Sequence, residues 1–214
     1  MLAILTSVMY ANPEVDTKLF NGAVKDYKQG AYIKALDAFY PLAKKGDVKA
    51  QFNIGMMYAQ GQGAKANKDK AIAWYEKAAR QNSTKAAYNL GRIYHQSAVT
   101  DKHGYEKAKY WYEKALEGKA KIKEAYTNLA ALYMEGHGVA KDEKKAFELL
   151  EKAAKMGESA AQVNIARIYA WGKLVTNDKL KAYENFKKAL RAGRSEASGY
   201  LDKLCHESAW VCKD

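Results

Sequence analysis

The sequence predicts an all-α chain, a superhelical solenoid of antiparallel helix pairs. Three observations predict it. One helix face recurs four times, as Asn53-Ile54-Gly55-x-x-Tyr58, Asn89-Leu90-Gly91-x-x-Tyr94, Asn128-Leu129-Ala130-x-x-Tyr133 and Asn164-Ile165-Ala166-x-x-Tyr169, its tyrosines 36, 39 and 36 positions apart. A second face runs in phase with it: Lys70-Ala71-x-x-Trp74-Tyr75, Lys107-Ala108-x-x-Trp111-Tyr112, Lys145-Ala146-x-x-Leu149-Leu150 and Lys181-Ala182-x-x-Asn185-Phe186. The composition agrees, since 48% of the 214 residues are hydrophobic, only two are proline, and almost no segment looks like a strand. Self-similarity at this period marks stacked supersecondary units that present a long surface.

The elements follow in chain order. Residues 1–11 contain an apolar run, Leu2-Ala3-Ile4-Leu5-Thr6-Ser7-Val8, that ends at Ala11 before Asn12-Pro13. This resembles the apolar part and cleavage end of a secretory signal without its basic start. The alternative is a frayed apolar tail of a cytoplasmic protein. Residues 12–47 hold a half-copy, Lys34-Ala35-x-x-Ala38-Phe39, and are expected to form a half-repeat or capping repeat.

Residues 48–194 are expected to form four full repeats. In the first, Ile54, Met57 and Tyr58 recur at helical spacing, and Gly61-Gln62-Gly63 breaks the helix. Asn67 stands where the N-cap of the second helix belongs, and Asp142 and Asp178 hold matching places. Trp74 is expected between helices, with Ala71 and Ala78 allowing close approach. Gly46, Asn82, Gly157 and Gly193 suit left-handed stops at helix ends. The second copy departs from the pattern, with Ser97-Ala98-Val99-Thr100 in place of the glycine loop and extra residues around Gly118 to Lys123.

Residues 195–214 are expected to be a C-terminal capping helix with a cysteine pair. A helix over 195–204 carries Ser198, Asp202 and Lys203, polar residues that suit an end exposed to water. Cys205 and Cys212, an even and closely spaced pair, suggest a disulfide and an oxidising compartment. Seven residues of unbroken helix would hold their Cα atoms about 10.5 Å apart, whereas a disulfide needs less than about 7 Å. The bond therefore requires a break within 206–211, which leaves Trp210 free to fold onto the last helix pair. The competing reading makes Cys205, His206 and Cys212 zinc ligands, but structural zinc sites use four ligands in recognisable pairs.

The pattern Asn-Leu-Gly-x-x-Tyr, then Gly-x-Gly-Val, then Asp-x-x-Lys-Ala, then Lys-Ala-Ala and Gly resembles the Sel-one-like repeat, a relative of the tetratricopeptide repeat. Its best copy here runs from Asn128-Leu129-Ala130 through Gly136-His137-Gly138-Val139, Asp142, Lys145-Ala146 and Lys152-Ala153-Ala154 to Gly157. The resemblance covers roughly residues 30 to 193 and implies a right-handed superhelical solenoid. In tetratricopeptide arrays the equivalent asparagine lines the concave surface and binds peptide backbone. That role, if carried over, falls on Asn53, Asn89, Asn128 and Asn164. A side-chain amide both donates and accepts, so it can pair with a peptide unit without reading sequence. The alternative is that each asparagine braces a neighbouring helix.

One turn further along the same face lie Arg92 and Arg167, and a further turn adds His95 and Trp171. Arginine can fork onto a carboxylate, and tryptophan supplies apolar area at low entropy cost. Trp171 has a second reading, packing against the 172–177 loop. The charge of +12 and pI near 9.4 favour an anionic partner, although lysines interleaved with acids read equally as a solvated surface. No phosphate loop, catalytic triad, metal-ligand spacing or basic-aromatic nucleic-acid module is recognisable.

The expected function is a non-catalytic scaffold that binds a protein or peptide, acidic in character, in its groove. The groove residues would be Asn53, Asn89, Arg92, His95, Asn128, Asn164, Arg167 and Trp171. A glycan-binding or glycan-modifying protein of the cell envelope is the alternative, and non-specific nucleic-acid binding is a third reading. No catalytic residue, metal or cofactor is expected, nor a membrane span or a specific nucleic-acid partner. The expected state is a monomer, periplasmic or secreted, the alternative being cytoplasmic.

Overall fold

A computed structural model describes residues 13–98, 101, 103–118, 120–172 and 174–212. The signal-like segment 1–11 lies outside them. Among the described residues the chain is all-α, with eleven α-helices and no strand. By internal packing it divides into two units, 1–86 and 87–214.

The first unit pairs α1 (Pro13–Lys28) with α2 (Tyr32–Lys44) and α3 (Val48–Gln60) with α4 (Lys68–Arg80). Its core joins Ala35, Phe39 and Leu42 of α2 to Ile54 and Met57 of α3 and Trp74 of α4. Phe20 meets Phe39 edge-on at 5.4 Å, and Tyr40 meets Trp74 in the same manner at 5.6 Å. Trp74 is 8% exposed, in keeping with its expected place between helices. Small alanines on the facing sides let the helices approach, and the aromatics fill what remains.

The second unit contains α5 (Thr84–Ser97), whose first turn straddles the boundary, and α6 (Gly104–Glu117). It continues with α7 (Lys123–Glu135), α8 (Glu143–Lys155), α9 (Ser159–Trp171), α10 (Lys179–Arg191) and α11 (Glu196–Glu207). A 3-10 turn over Ala209–Cys212 ends the described chain. Phe186, Ala197, Leu204 and Val211 form its terminal core together with Val163, Ala166 and Ala170.

The same local rules build each pair. Asn67, Asp142 and Asp178 cap α4, α8 and α10, each accepting from the backbone N–H three residues on, at 2.9–3.0 Å. The backbone N–H of each cap in turn donates to the carbonyl of the repeat tyrosine, Tyr58, Tyr133 or Tyr169, at 2.9 Å. A lysine in the first turn of the second helix then lies over that tyrosine ring: Lys70 over Tyr58, Lys145 over Tyr133 and Lys181 over Tyr169. The expected stops are in place, with φ of +64° at Asn82 and +76° at Gly157. Gly63 also makes a close approach. A Cβ there would come within 2.5 Å of the Tyr32 carbonyl oxygen.

The second copy departs as its sequence does. α6 starts after His103, which gives no side-chain cap, and Asp101 instead accepts from the His103 N–H and from Lys107 Nζ, both at 3.0 Å. α7 likewise starts after Ile122 without a side-chain cap.

At the C-terminus the last helix starts one residue later than expected and runs on through Glu207. The break then falls at Ser208, inside the required window. Cys205 and Cys212 are bonded, with Cα atoms 5.7 Å apart. Trp210 lies beside the start of α10 and remains 60% exposed, while its neighbour Val211, 4% exposed, packs into the core. The tight turn can bury one of two adjacent side chains, and the smaller one fits beside Leu204.

Candidate functional site

Four of the expected residues border one open groove in the second unit, of about 710 Å³. α7 contributes Asn128, and α9 contributes Asn164, Arg167 and Trp171. The two asparagines hold the same repeat position on successive first helices, so stacking brings them to one side. Thr127, Met134 and Glu135 extend the α7 wall, and Tyr200 and Lys203 from α11 close the far end.

That far end is an aromatic wall carrying two cations. Phe186 and Tyr200 stack at 5.6 Å with planes 13° apart, and Trp171 tilts against both at 6.0 and 6.3 Å. The Arg167 guanidinium lies 5.2 Å from the Tyr200 ring centre, and Lys203 Nζ lies 4.8 Å from that of Trp171. Rings held in this way restrain long cationic side chains, and Lys203 Nζ also lies 3.9 Å from Glu207 Oε1. Trp171 Nε1 donates to Glu207 Oε2 at 2.6 Å. The tryptophan therefore lines the groove and is held from α11.

A second cluster lies among α5, α6 and α7. The buried Tyr112 hydroxyl lies 3.3 Å from His95 Nδ1 and accepts from Asn128 Nδ2 at 3.4 Å. One phenol thus connects two of the expected groove residues. Burial raises the pKa of Tyr112 above the ordinary tyrosine value, and the neighbouring Tyr88 adds to the rise. Tyr88 is also raised, mainly by burial, against the pull of Arg92, whose guanidinium lies 6.0 Å from its ring centre. Burial lowers the pKa of His95 below its ordinary value, and Glu135 opposes this. Nearby, Tyr105 stacks on His137 at 4.4 Å, and His137 Nδ1 pairs with Glu135 at 2.9 Å.

The structure thus gathers Asn128, Asn164, Arg167 and Trp171 around the groove and ties His95 to Asn128 through Tyr112. Arg92 is exposed on α5 and Asn89 half-buried there, while Asn53 sits half-buried on α3 in the first unit. For Asn128 the bracing alternative also has support, since its amide holds the α6 phenol while lining the groove. Sequence reasoning missed Tyr200, Lys203 and Glu207. Their spacing of three and four residues places them on one face of the last helix, a signal that was present but had no repeat to mark it. Among the described residues no cluster of three or more His, Cys, Asp or Glu could hold a metal, and no helix is long and apolar enough to cross a membrane.

Paired helices stacked in register, with an open groove between first helices, define a helical-repeat scaffold. The Sel1 repeat family profile matches residues 48–83, 84–119, 123–158 and 159–193, and the chain belongs to that family. Repeats of this kind typically mediate protein–protein interaction and are generally non-catalytic. The chain is similar to a Sel1 repeat protein from Oxalobacter formigenes, with 30% identity and a TM-score of 0.76 over 87% of this chain and 74% of that one. It is 28% identical over 132 residues, 60% of its length, to chitin synthase regulatory factor 3 of Schizosaccharomyces pombe. It is 51% identical over 41 residues, 19% of its length, to a sel1-like repeat-containing protein L18 of Acanthamoeba polyphaga mimivirus. These matches span 14% and 7% of the two curated relatives.

Proposed function

We propose that this chain is a non-catalytic scaffold whose second unit binds an extended, acidic protein segment in the groove between α7, α9 and α11. The observation that carries the reading is the pair of cations, Arg167 and Lys203, set on an aromatic wall beside Asn128 and Asn164. An extended segment has free backbone N–H and C=O groups. The two asparagine amides can pair with them, while Arg167 and Lys203 meet a carboxylate and Trp171 offers a face to an apolar side chain. Arg92 and Asn89 of α5 extend the same row, and Asn53 would serve the first unit in the same manner. The disulfide fits an oxidising compartment, periplasmic or extracellular.

Selection from a displayed library of random decapeptides tests the proposal. The native chain should enrich peptides bearing Asp or Glu. Combined Arg167→Ala and Lys203→Ala should weaken the enriched peptides by roughly tenfold or more, as expected for loss of two charge-assisted contacts. Equal binding by the native chain and the folded double variant would place the site elsewhere.

A further inference from the structure

The groove's end wall depends on a residue that the disulfide loop itself carries. Glu207 is the last residue of α11 and lies between Cys205 and Cys212 in the chain. Its carboxylate accepts from Trp171 Nε1 at 2.6 Å, across 36 positions of sequence. Lys203 connects the same two residues, with Nζ 4.8 Å from the Trp171 ring centre and 3.9 Å from Glu207 Oε1. The orientation of Trp171 is thus set from the final turn of the final helix. Helix ends fray because their last carbonyls lack partners within the helix. Here the covalent bond back to Cys212, together with buried Val211, holds that end in place.

We propose that Glu207 is a positioning residue for Trp171, and that the Cys205–Cys212 bond makes this positioning redox-sensitive. In the oxidised chain Glu207 fixes the indole and the end wall is ordered. A dithiol reductant breaks the Sγ–Sγ bond. Two electrons and two protons pass to the cysteines, giving two thiols, and the reductant leaves as its own disulfide. The final turn of α11 then frays, Glu207 leaves the indole, and Trp171 and Lys203 lose their fixed places. The groove therefore binds more weakly in the reduced chain, a consequence that rests on the groove being the binding site.

The indole N–H signals of the ¹⁵N-labelled full chain test the coupling, with Trp171→Phe assigning its signal. In the oxidised chain the Trp171 N–H should exchange slowly with solvent. Addition of dithiothreitol should move the signal and speed its exchange roughly tenfold, as local opening exposes it. The Cys205→Ser/Cys212→Ser variant should reproduce the shift without reductant, and Glu207→Gln should shift the same signal in the oxidised chain. The buried Trp74 signal should stay unchanged throughout, showing that the fold is intact. A Trp171 signal that is identical in oxidised and reduced wild-type chain would overturn the proposal. N-acetylated hexaglutamate serves as the binding probe, and its affinity should fall several-fold on reduction. Equal affinity for both forms would overturn the consequence for binding. A Trp171 signal that responds while hexaglutamate binds neither form would support the coupling and count against the groove reading instead.

Discussion

The first helix of each repeat carries a glycine or alanine three residues before its tyrosine, and in the first two copies the glycine meets a tyrosine ring of the second helix. Gly55 faces Tyr75 and Gly91 faces Tyr112, where an added Cβ would come within 2.7 and 2.5 Å of a ring carbon. In the third and fourth copies alanines take that place, as Ala130 and Ala166, and the second helix carries Leu150 and Phe186 in place of tyrosine. Gly91→Ala should therefore cost about 1–3 kcal/mol through overpacking, measurable by urea denaturation, and should displace the Tyr112 hydroxyl from His95. Trp74→Ala removes a nearly buried ring and should cost about 3–5 kcal/mol. A loss below about 1 kcal/mol in the same measurement would show that the ring contributes little packing. His95 gives a pH signature. Its folded pKa lies below the ordinary 6.5, chiefly because of burial, with Glu135 raising it and His137 lowering it. Between the two values the unfolded chain binds more protons, so stability rises with pH there. As pH falls below about 6.5, stability should decline and then level off beneath the folded pKa. His95→Gln should flatten that part of the profile, as denaturant midpoints taken from pH 7.5 to pH 5 would show.

Corresponding elements of the two units differ in one informative place. Gln51 on α3 is buried and paired at both amide atoms: its Nε2 donates to the Ala43 carbonyl at 3.1 Å, and its Oε1 accepts from Gln81 Nε2 at 2.9 Å. Gln162 holds the same position on α9 and is also buried, but among the described residues its Oε1 has no hydrogen-bond partner. The reason is a single substitution at the end of the following helix. Gln81 follows α4 directly, and the residue that follows α10 is Ala192. Leaving a buried acceptor unpaired costs more than making the bond gains. Ala192→Gln should therefore raise the stability of the second unit by about 1 kcal/mol. A thermal midpoint unchanged or lowered by this substitution would show that the new amide does not reach Gln162.

Within each unit, among the described residues, packing is dominated by helices that are neighbours in sequence, as expected for a repeat array whose stability sums over local interfaces. Loss of the Cys205–Cys212 bond should accordingly have a local effect. The closed loop is short, so the double serine variant should lose about 2–3 kcal/mol at most. Hydrogen exchange should quicken in α11 and at the end of α9 while α2 and α3 keep native protection. Uniform loss of protection along the chain would instead indicate one cooperative block.

Much of this was legible in the sequence because it is local. Helix periodicity, the caps at Asn67, Asp142 and Asp178, and the stops at Asn82 and Gly157 involve residues within one turn of each other. The repeat displays the same rule several times over, which is why the fold class and the Asn row could be read directly. The need for a break after Cys205 could also be read, since helix rise and disulfide reach are fixed lengths. The tertiary structure decided what depends on long-range meetings. The bond from Trp171 to Glu207 spans 36 positions, and the hydroxyl of Tyr112 reaches His95 on one helix and Asn128 on another. It also decided that Val211 and not Trp210 enters the core. Periodicity states which face of a helix is turned inward. Only the stacking of one helix on the next determines which polar atoms then come within bonding distance, and so which residues close the end of the groove.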